Sequence, residues 1–323
     1  MTSQIPYVEP GLHRLGRETF AFLQPNGSWG LSNSGVITGG GTALLVDTMF
    51  TLNLTRRLLA AIDEQLPGVP ISTVVNTHPN GDHCWGNQLV KGATIVSSER
   101  TREGMAHEIP PAAMAAMTRD TPPDSAMGAY MRRYFGEFDW SGIQITEPTS
   151  TFSGQTTLTL GDKTIELIEV GPAHTAGDVI VHVPDEGIVY AGDVLFIGDH
   201  PIVWEDGDIH NWVAACDRII ATGADTIVPG HGPVTDLEGV AEFRDYLDYV
   251  AEFAKRQYAR GMPYWLAAAG MDRELTYWDS WGHPERLAVT IGSIYQRMGK
   301  VIEGGKRELL DRMVDLHQQQ AAN

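Results

Sequence analysis

Four short blocks concentrate the side chains that could hold a metal ion. They are Thr77-His78-Pro79-Asn80-Gly81-Asp82-His83, Ala173-His174-Thr175-Ala176-Gly177-Asp178, Ala191-Gly192-Asp193 and Pro229-Gly230-His231-Gly232-Pro233. Two histidines and an aspartate within six residues cannot all face one side of a helix, so the first block predicts a tight loop that converges them. Singly each block says little. A lone loop histidine is usually a surface or hydrogen-bonded residue, and Gly-Asp pairs are ordinary turns. Glycines on both sides of His231 are harder to explain that way, because they leave the imidazole open to close approach. Imidazoles and carboxylates converging from several strand ends are the ingredients of a zinc or iron site with open positions.

Each block follows a predicted strand, which is how the convergence would be achieved. Residues 17–47 read as strands: Phe20–Leu23 and Val36–Thr38 are short apolar or β-branched pieces, and Thr42–Asp47 ends at an acid after a Gly39-Gly-Gly41 turn. Leu52–Leu66 has helical spacing, and strands at Ile71–Asn76 and Thr94–Ser97 follow. Thr157–Leu160, Thr164–Val170, Val179–Val183, Ile188–Ala191 and Thr226–Val228 are further strands, with a helix of about 209–221 capped by Asp208. The alternation predicts an α/β layered domain.

Two regions stand outside that alternation. Residues 98–150 carry Met105, Met114, Met117, Met127 and Met131 with Tyr130, Tyr134 and Phe135, and Asp124 is placed to cap a helix of 125–135. Such a stretch reads either as helical core packing or as an adaptable apolar lid over a pocket. From Thr235-Asp-Leu-Glu238, a capping-box sequence, the chain reads as helical to its end, with Phe243, Leu247, Val250 and Ala254 on one face. The predicted organisation is a catalytic domain over 1–235, with 98–150 as an insertion, and a helical extension over 236–323. Apolar helical faces together with Trp265, Trp278 and Trp281 predict that this extension joins subunits into a homo-oligomer.

In this order, the four blocks resemble the signature of the metallo-β-lactamase superfamily: His-x-His-x-Asp-His, then Gly-His-Thr-x-Gly-Asp, Gly-Asp and Gly-His-Gly. Asn33-Ser-Gly-Val-Ile37 and Leu44-Leu-Val-Asp47 resemble the strands that open that fold, and the likeness covers residues 17–235. It implies an αββα sandwich with a dinuclear metal site at one sheet edge. Carried over by position, it implies His78 and His174 at the first metal, Asp82, His83 and His231 at the second, and Asp193 bridging. The second histidine of the family's first block is Asn80 here. An amide oxygen is a poorer ligand than imidazole for a borderline metal. Three outcomes stay open: two zinc ions with a weakened first site, one metal on Asp82, His83 and His231, or iron or manganese in place of zinc. Two ions, zinc foremost, is the expectation.

The 323 residues carry 23 Lys and Arg against 41 Asp and Glu, a formal net charge of −18. That surface repels phosphate backbones and anionic lipid, so neither nucleic acid nor membrane is an expected partner. The first ten residues read as no signal peptide, and Cys84 and Cys216 make no disulfide framework, which predicts a cytoplasmic protein.

The resemblance implies a hydrolase in which metal-bound hydroxide, oriented by Asp82, attacks an ester, lactone, thioester, amide or activated aryl ether of a small, largely apolar substrate. Trp29, Ile197, His200 and Trp204 are the expected pocket walls. Two other classes compete. A di-iron redox relative would carry a glutamate in the first block and a flavin domain, and neither is read here. A non-catalytic binding relative would have lost metal occupancy at Asn80.

Overall fold

The computed structural model describes residues 8–25, 27–275 and 277–321, so the leader reading of residues 1–7 lies outside the described residues. A seven-stranded sheet runs in sequence order through β1 (Gly11–Arg14), β2 (Thr19–Leu23), β3 (Ser34–Gly39), β4 (Thr42–Val46), β5 (Ile71–Val75), β6 (Thr94–Ser98) and β7 (Ser150–Phe152). The first four strands pair antiparallel and the rest parallel. A five-stranded sheet holds β8 (Gln155–Leu160), β9 (Lys163–Glu169), β10 (Val179–Val183), β11 (Ile188–Phe196) and β12 (Thr226–His231).

The sheets face each other across an apolar layer to which both contribute, including Ile37, Leu44, Val75, Ile165, Val181 and Tyr190. Outside the first sheet lie α1 (Leu52–Gln65), the one-turn α2 (Gly81–Cys84), and the insertion helices α3 (Glu99–Met105), α4 (Pro111–Asp120) and α5 (Ala126–Phe135). Outside the second lie α6 (Ile209–Ile220), α7 (Leu237–Ala259), α8 (Tyr264–Glu274), α9 (Leu287–Arg297) and α10 (Gly305–Ala321). This is the expected αββα sandwich with a helical insertion and a helical C-terminal extension. None of these helices is long and apolar enough to cross a membrane.

The extension joins the main core rather than forming a separate one. Every residue of α9 from Leu287 to Tyr295 is buried, and Trp281 packs 4.9 Å from Tyr246 of α7. Trp278 lies in the same cluster, whereas Trp265 stays 37% exposed. The insertion is held from both sides: Tyr130 belongs to the core of the second sheet, Met131 and Phe135 to that of the first.

Several local expectations need correction. Ser125, not Asp124, caps α5, its hydroxyl accepting from Gly128 N–H. Asp236, not Thr235, caps α7, because the Thr235 backbone is already paired with Ile227. β11 does not stop at Ala191 but runs to Phe196, so Asp193 sits within a strand. Its pairing with β12 shifts register on both sides of Gly192, which lets the strand pass through a Gly-Asp pair that reads as a turn. β12 likewise continues to His231.

Candidate metal centre

The four blocks meet at one end of the sandwich. His78 lies on the loop after β5, Asp82 and His83 on α2, His174 on the β9–β10 turn, Asp193 in β11 and His231 at the end of β12. The first block therefore solves its geometry with a loop and a single helical turn, not with a loop alone.

Asp193 is the hub. Its Oδ1 lies 3.0 Å from His83 Nε2, and its Oδ2 lies 3.5 Å from His174 Nε2, 3.5 Å from His231 Nε2 and 3.7 Å from His78 Nε2. Asp82 Oδ2 lies 3.2 Å from His231 Nε2 and 3.4 Å from His83 Nε2. All six side chains are buried. Two compact groups of ligand atoms result, His78-His83-Asp193 and Asp82-His83-His231.

Three of the four imidazoles are fixed from behind through Nδ1. His83 Nδ1 is 2.9 Å from Asp47 Oδ2, His78 Nδ1 is 3.0 Å from the Thr77 hydroxyl, and His174 Nδ1 is 3.1 Å from the Ile202 carbonyl. A ring held this way presents Nε2 inward, as ligating histidines do. Asp47 also accepts from the Thr77 N–H and hydroxyl, at 2.8 and 2.7 Å. Asp178 fixes the His174 turn through Ala173 N–H, Thr175 N–H and the Thr175 hydroxyl. Asn33 donates to the carbonyls of Pro229 and Gly232, tying the His231 block to the first sheet. Sequence alone gives none of Asp47, Asp178 and Asn33 a role at the site. Their signal was faint: an acid closing the Leu44-Leu-Val run, an acid ending the second block, and an Asn ahead of β3.

The donor set fits a divalent cation. His78 Nε2, His83 Nε2 and Asp193 Oδ1 are buried without a hydrogen-bond partner, and buried polar atoms are almost always satisfied. Two buried carboxylates face only imidazoles, with no Lys or Arg paired to them among the described residues. The electrostatics run the same way. Burial works against the charged Asp193 carboxylate, yet His231, His83 and His78 hold it well below the usual carboxylate range. Burial pushes His78 well down, whereas Asp193 and Asp82 overcome burial to drive His83 well up and His231 up to about 9. The cluster demands positive charge at its centre.

Asn80 stands beside His174. Its Oδ1 is 2.8 Å from His174 Nε2, and it makes no side-chain bond to cap α2. Glu108 of the insertion lies against Asn80, its carboxyl raised to about 7 by burial.

The expected wall residues are dispersed. Ile197 adjoins the ring, its N–H bonded to the His231 carbonyl at 3.0 Å. Trp29 is half-buried three residues before Ser32, whose hydroxyl donates to the Asp82 carbonyl. The His200 imidazole turns to α7, 2.7 Å from the Tyr246 hydroxyl, and burial pushes it down to about 3. Trp204 lies under Lys306 at the start of α10.

Residues 27–231, more than half of the chain, match the sequence profile of the metallo-beta-lactamase superfamily. The chain belongs to that superfamily. Within it, the chain is similar to the 2,4-dinitroanisole O-demethylase subunit alpha of Nocardioides sp. (strain JS1661), 24% identical over 196 residues that are 60% of this chain and 51% of that protein. It is also similar to the linear primary-alkylsulfatase of Pseudomonas sp. (strain ATCC 19151), 23% identical over 68% of this chain and 46% of that protein. The chain thus spans about half the length of the curated relatives it matches. Among solved structures, the stereoselective inverting sec-alkylsulfatase Pisa1 from Pseudomonas sp. shares the fold. It is 16% identical with a TM-score of 0.68, over 93% of this chain and 52% of that one.

Proposed function

We propose that this metallo-β-lactamase superfamily member is a metal-dependent hydrolase of small, largely apolar substrates, whose buried histidines and aspartates would hold two divalent transition-metal ions, zinc foremost. The observation that carries the reading is the position of Asp193, whose two oxygens lie within 3.7 Å of all four imidazole Nε2 atoms. His78 and His174 with the Asn80 oxygen would hold one ion, and Asp82, His83 and His231 the other. Ions held there would lower the pKa of water from 15.7 toward neutrality and polarise the scissile group.

The chain's own part is positioning and charge. Asp82 is placed to orient the nucleophilic water while staying ionised: His83 and His231 hold its carboxyl low although burial opposes this. Asp47 keeps His83 turned inward. The curated relatives support the class, since their names describe removal of a methyl group from an aryl ether and cleavage of alkyl sulfates. Among the candidates, this chain's substrate is an ester, lactone, thioester, amide or activated aryl ether. The test is hydrolysis of a panel of these compounds by the metal-loaded protein, before and after 1,10-phenanthroline. Turnover of at least one class that chelation abolishes and zinc restores is expected. No turnover, or turnover indifferent to chelation, overturns the reading.

A further inference from the structure

The insertion reaches the metal ring through its first helix. Ser98 and Thr101, at the start of α3, both donate their hydroxyls to the Gly177 carbonyl, at 2.7 and 2.8 Å, which fixes the helix to the block that carries His174. The approach is close: a Cβ on Gly177 would lie 2.4 Å from Thr101 N and 2.6 Å from Ser98 Oγ. Further along the helix, Gly104 abuts Pro79 of the first block, where an added Cβ would stand 2.9 Å from the proline Cγ. The helix is therefore clamped between the first two blocks. The turn that closes it, with His107 N–H donating to the Gly104 carbonyl at 2.8 Å, delivers Glu108 to Asn80. Glu108 is half-buried, and its carboxyl accepts from the Asn80 amide. Lys306, whose charge reaches it, is taken by Glu205 at 3.3 Å.

The Asn80 amide has two ends to offer the ring, and they are opposite in effect. His174 Nδ1 faces the Ile202 carbonyl at 3.1 Å and must donate to it, so in the neutral ring Nε2 carries a lone pair. Asn80 Oδ1, also an acceptor, lies 2.8 Å from that nitrogen. Two lone pairs at this distance repel unless a proton or a cation stands between them. With nothing else acting, the amide would turn over and donate its NH2 to Nε2, which would occupy the lone pair a metal needs. Glu108 opposes that turn. A reversed amide would set Oδ1 against the carboxyl and forfeit the bond to it. A carboxyl oxygen accepts from an amide whether or not the group is ionised, so the bias does not depend on titration.

We propose that Glu108 is a positioning residue that makes Asn80 a metal ligand: it holds the amide NH2 and so keeps Oδ1 turned to the ion that His78 and His174 would share. The same bond polarises the amide and strengthens its oxygen as a donor, as a carboxylate behind a ligating histidine does for imidazole. The insertion thereby supports the first metal position at the point where an amide stands in place of an imidazole. The inference rests on the hydrolase reading only for the presence of an ion at His174.

The test is zinc retention by the full chain against graded EDTA, read by elemental analysis of the dialysed protein, for the parent, Glu108→Met, Asn80→Ala and the double variant. Methionine fills the space of the glutamate without an acceptor. Glu108→Met is expected to weaken retention of the more labile ion about tenfold, as loss of a group that orients a ligand does. Asn80→Ala should weaken it at least as much. Adding Glu108→Met to Asn80→Ala should change nothing further, because Glu108 acts only through the amide. Glu108→Gln, whose side-chain oxygen still accepts, should keep most of the parent's retention. Unchanged retention in Glu108→Met overturns the proposal, and so do losses that add in the double variant, which would mark Glu108 as acting on the ion by itself. Should Glu108→Met fail to fold, Glu108→Ala takes its place. Turnover of the same samples separates the two readings. A protein whose zinc depends on Glu108 but which hydrolyses nothing sinks only the hydrolase, and an active enzyme whose retention is indifferent to Glu108 sinks only the positioning role.

Discussion

Gly230→Ala is the substitution whose consequence the geometry states most sharply. A Cβ at this position would lie 2.0 Å from Asp193 Oδ1, 2.7 Å from the Gly192 carbonyl carbon and 2.9 Å from Asp193 N. Rotation of the carboxylate can relieve the first contact but not the other two, which are backbone. The β11 and β12 backbones are paired at Gly192 and Pro229, so they must separate to admit the methyl. Opening the shorter backbone contact, at 2.7 Å, to an ordinary separation needs a displacement of about 1 Å beside Asp193, and errors of that size cost on the order of a hundredfold in rate. Overpacking of this kind costs about 1–3 kcal/mol in stability. The assay is metal retention against graded chelator, with turnover on the best panel substrate and a thermal melt. Gly270→Ala, on α8, is the control: the added methyl meets no heavy atom there. It should leave metal and rate unchanged and stabilise slightly. A Gly230→Ala protein that keeps its metal and a rate within about threefold of the parent would refute the reasoning, since Asp193 would not be held as described.

Other outcomes follow from the same geometry. Asp82→Ala should lose at least about a hundredfold in turnover with little change in folding, and a near-normal rate removes Asp82 from the mechanism. Asn80→His should hold metal more tightly through graded chelator, because imidazole binds zinc better than an amide oxygen; equal or weaker retention would show that Asn80 is not a ligand. His200 gives a pH signature. Its folded pKa of about 3 lies below the unfolded value near 6.5, so acid protonates the unfolded chain first. Its contribution is therefore intact above about pH 6.5 and is lost as pH falls toward 3, about 2 kcal/mol of it by pH 5. His200→Gln should lose that much less stability than the parent between pH 7.5 and pH 5 in urea titrations, and parallel losses in the two proteins would contradict the assignment.

The layers and the ring were legible in the sequence because they rest on local signals: apolar runs of strand length and ligand types placed at their ends. What escaped depends on long-range pairing or on competition between neighbours. Asp47 lies 36 residues before His83 and contacts it only because β4 and β5 are adjacent. Asp193 was read as a turn residue because Gly-Asp is turn-like, but the apolar Val194-Leu-Phe196 that follows keeps the strand going beside β12. At the α7 cap two adjacent residues could serve, and tertiary pairing chose: Thr235 is engaged with Ile227, which leaves the helix to Asp236. The pairing of Trp29 with Arg286 spans 257 positions and has no local trace.

The measurement that tests the central claim most directly is elemental analysis of the protein purified from zinc-supplemented medium, with Asp193→Ala beside it. One to two transition-metal ions per chain are expected in the parent, because Asp193 touches every imidazole of the ring, and a clear loss is expected in the variant. A parent that carries no metal after such expression, or a variant that carries as much as the parent, would contradict the account.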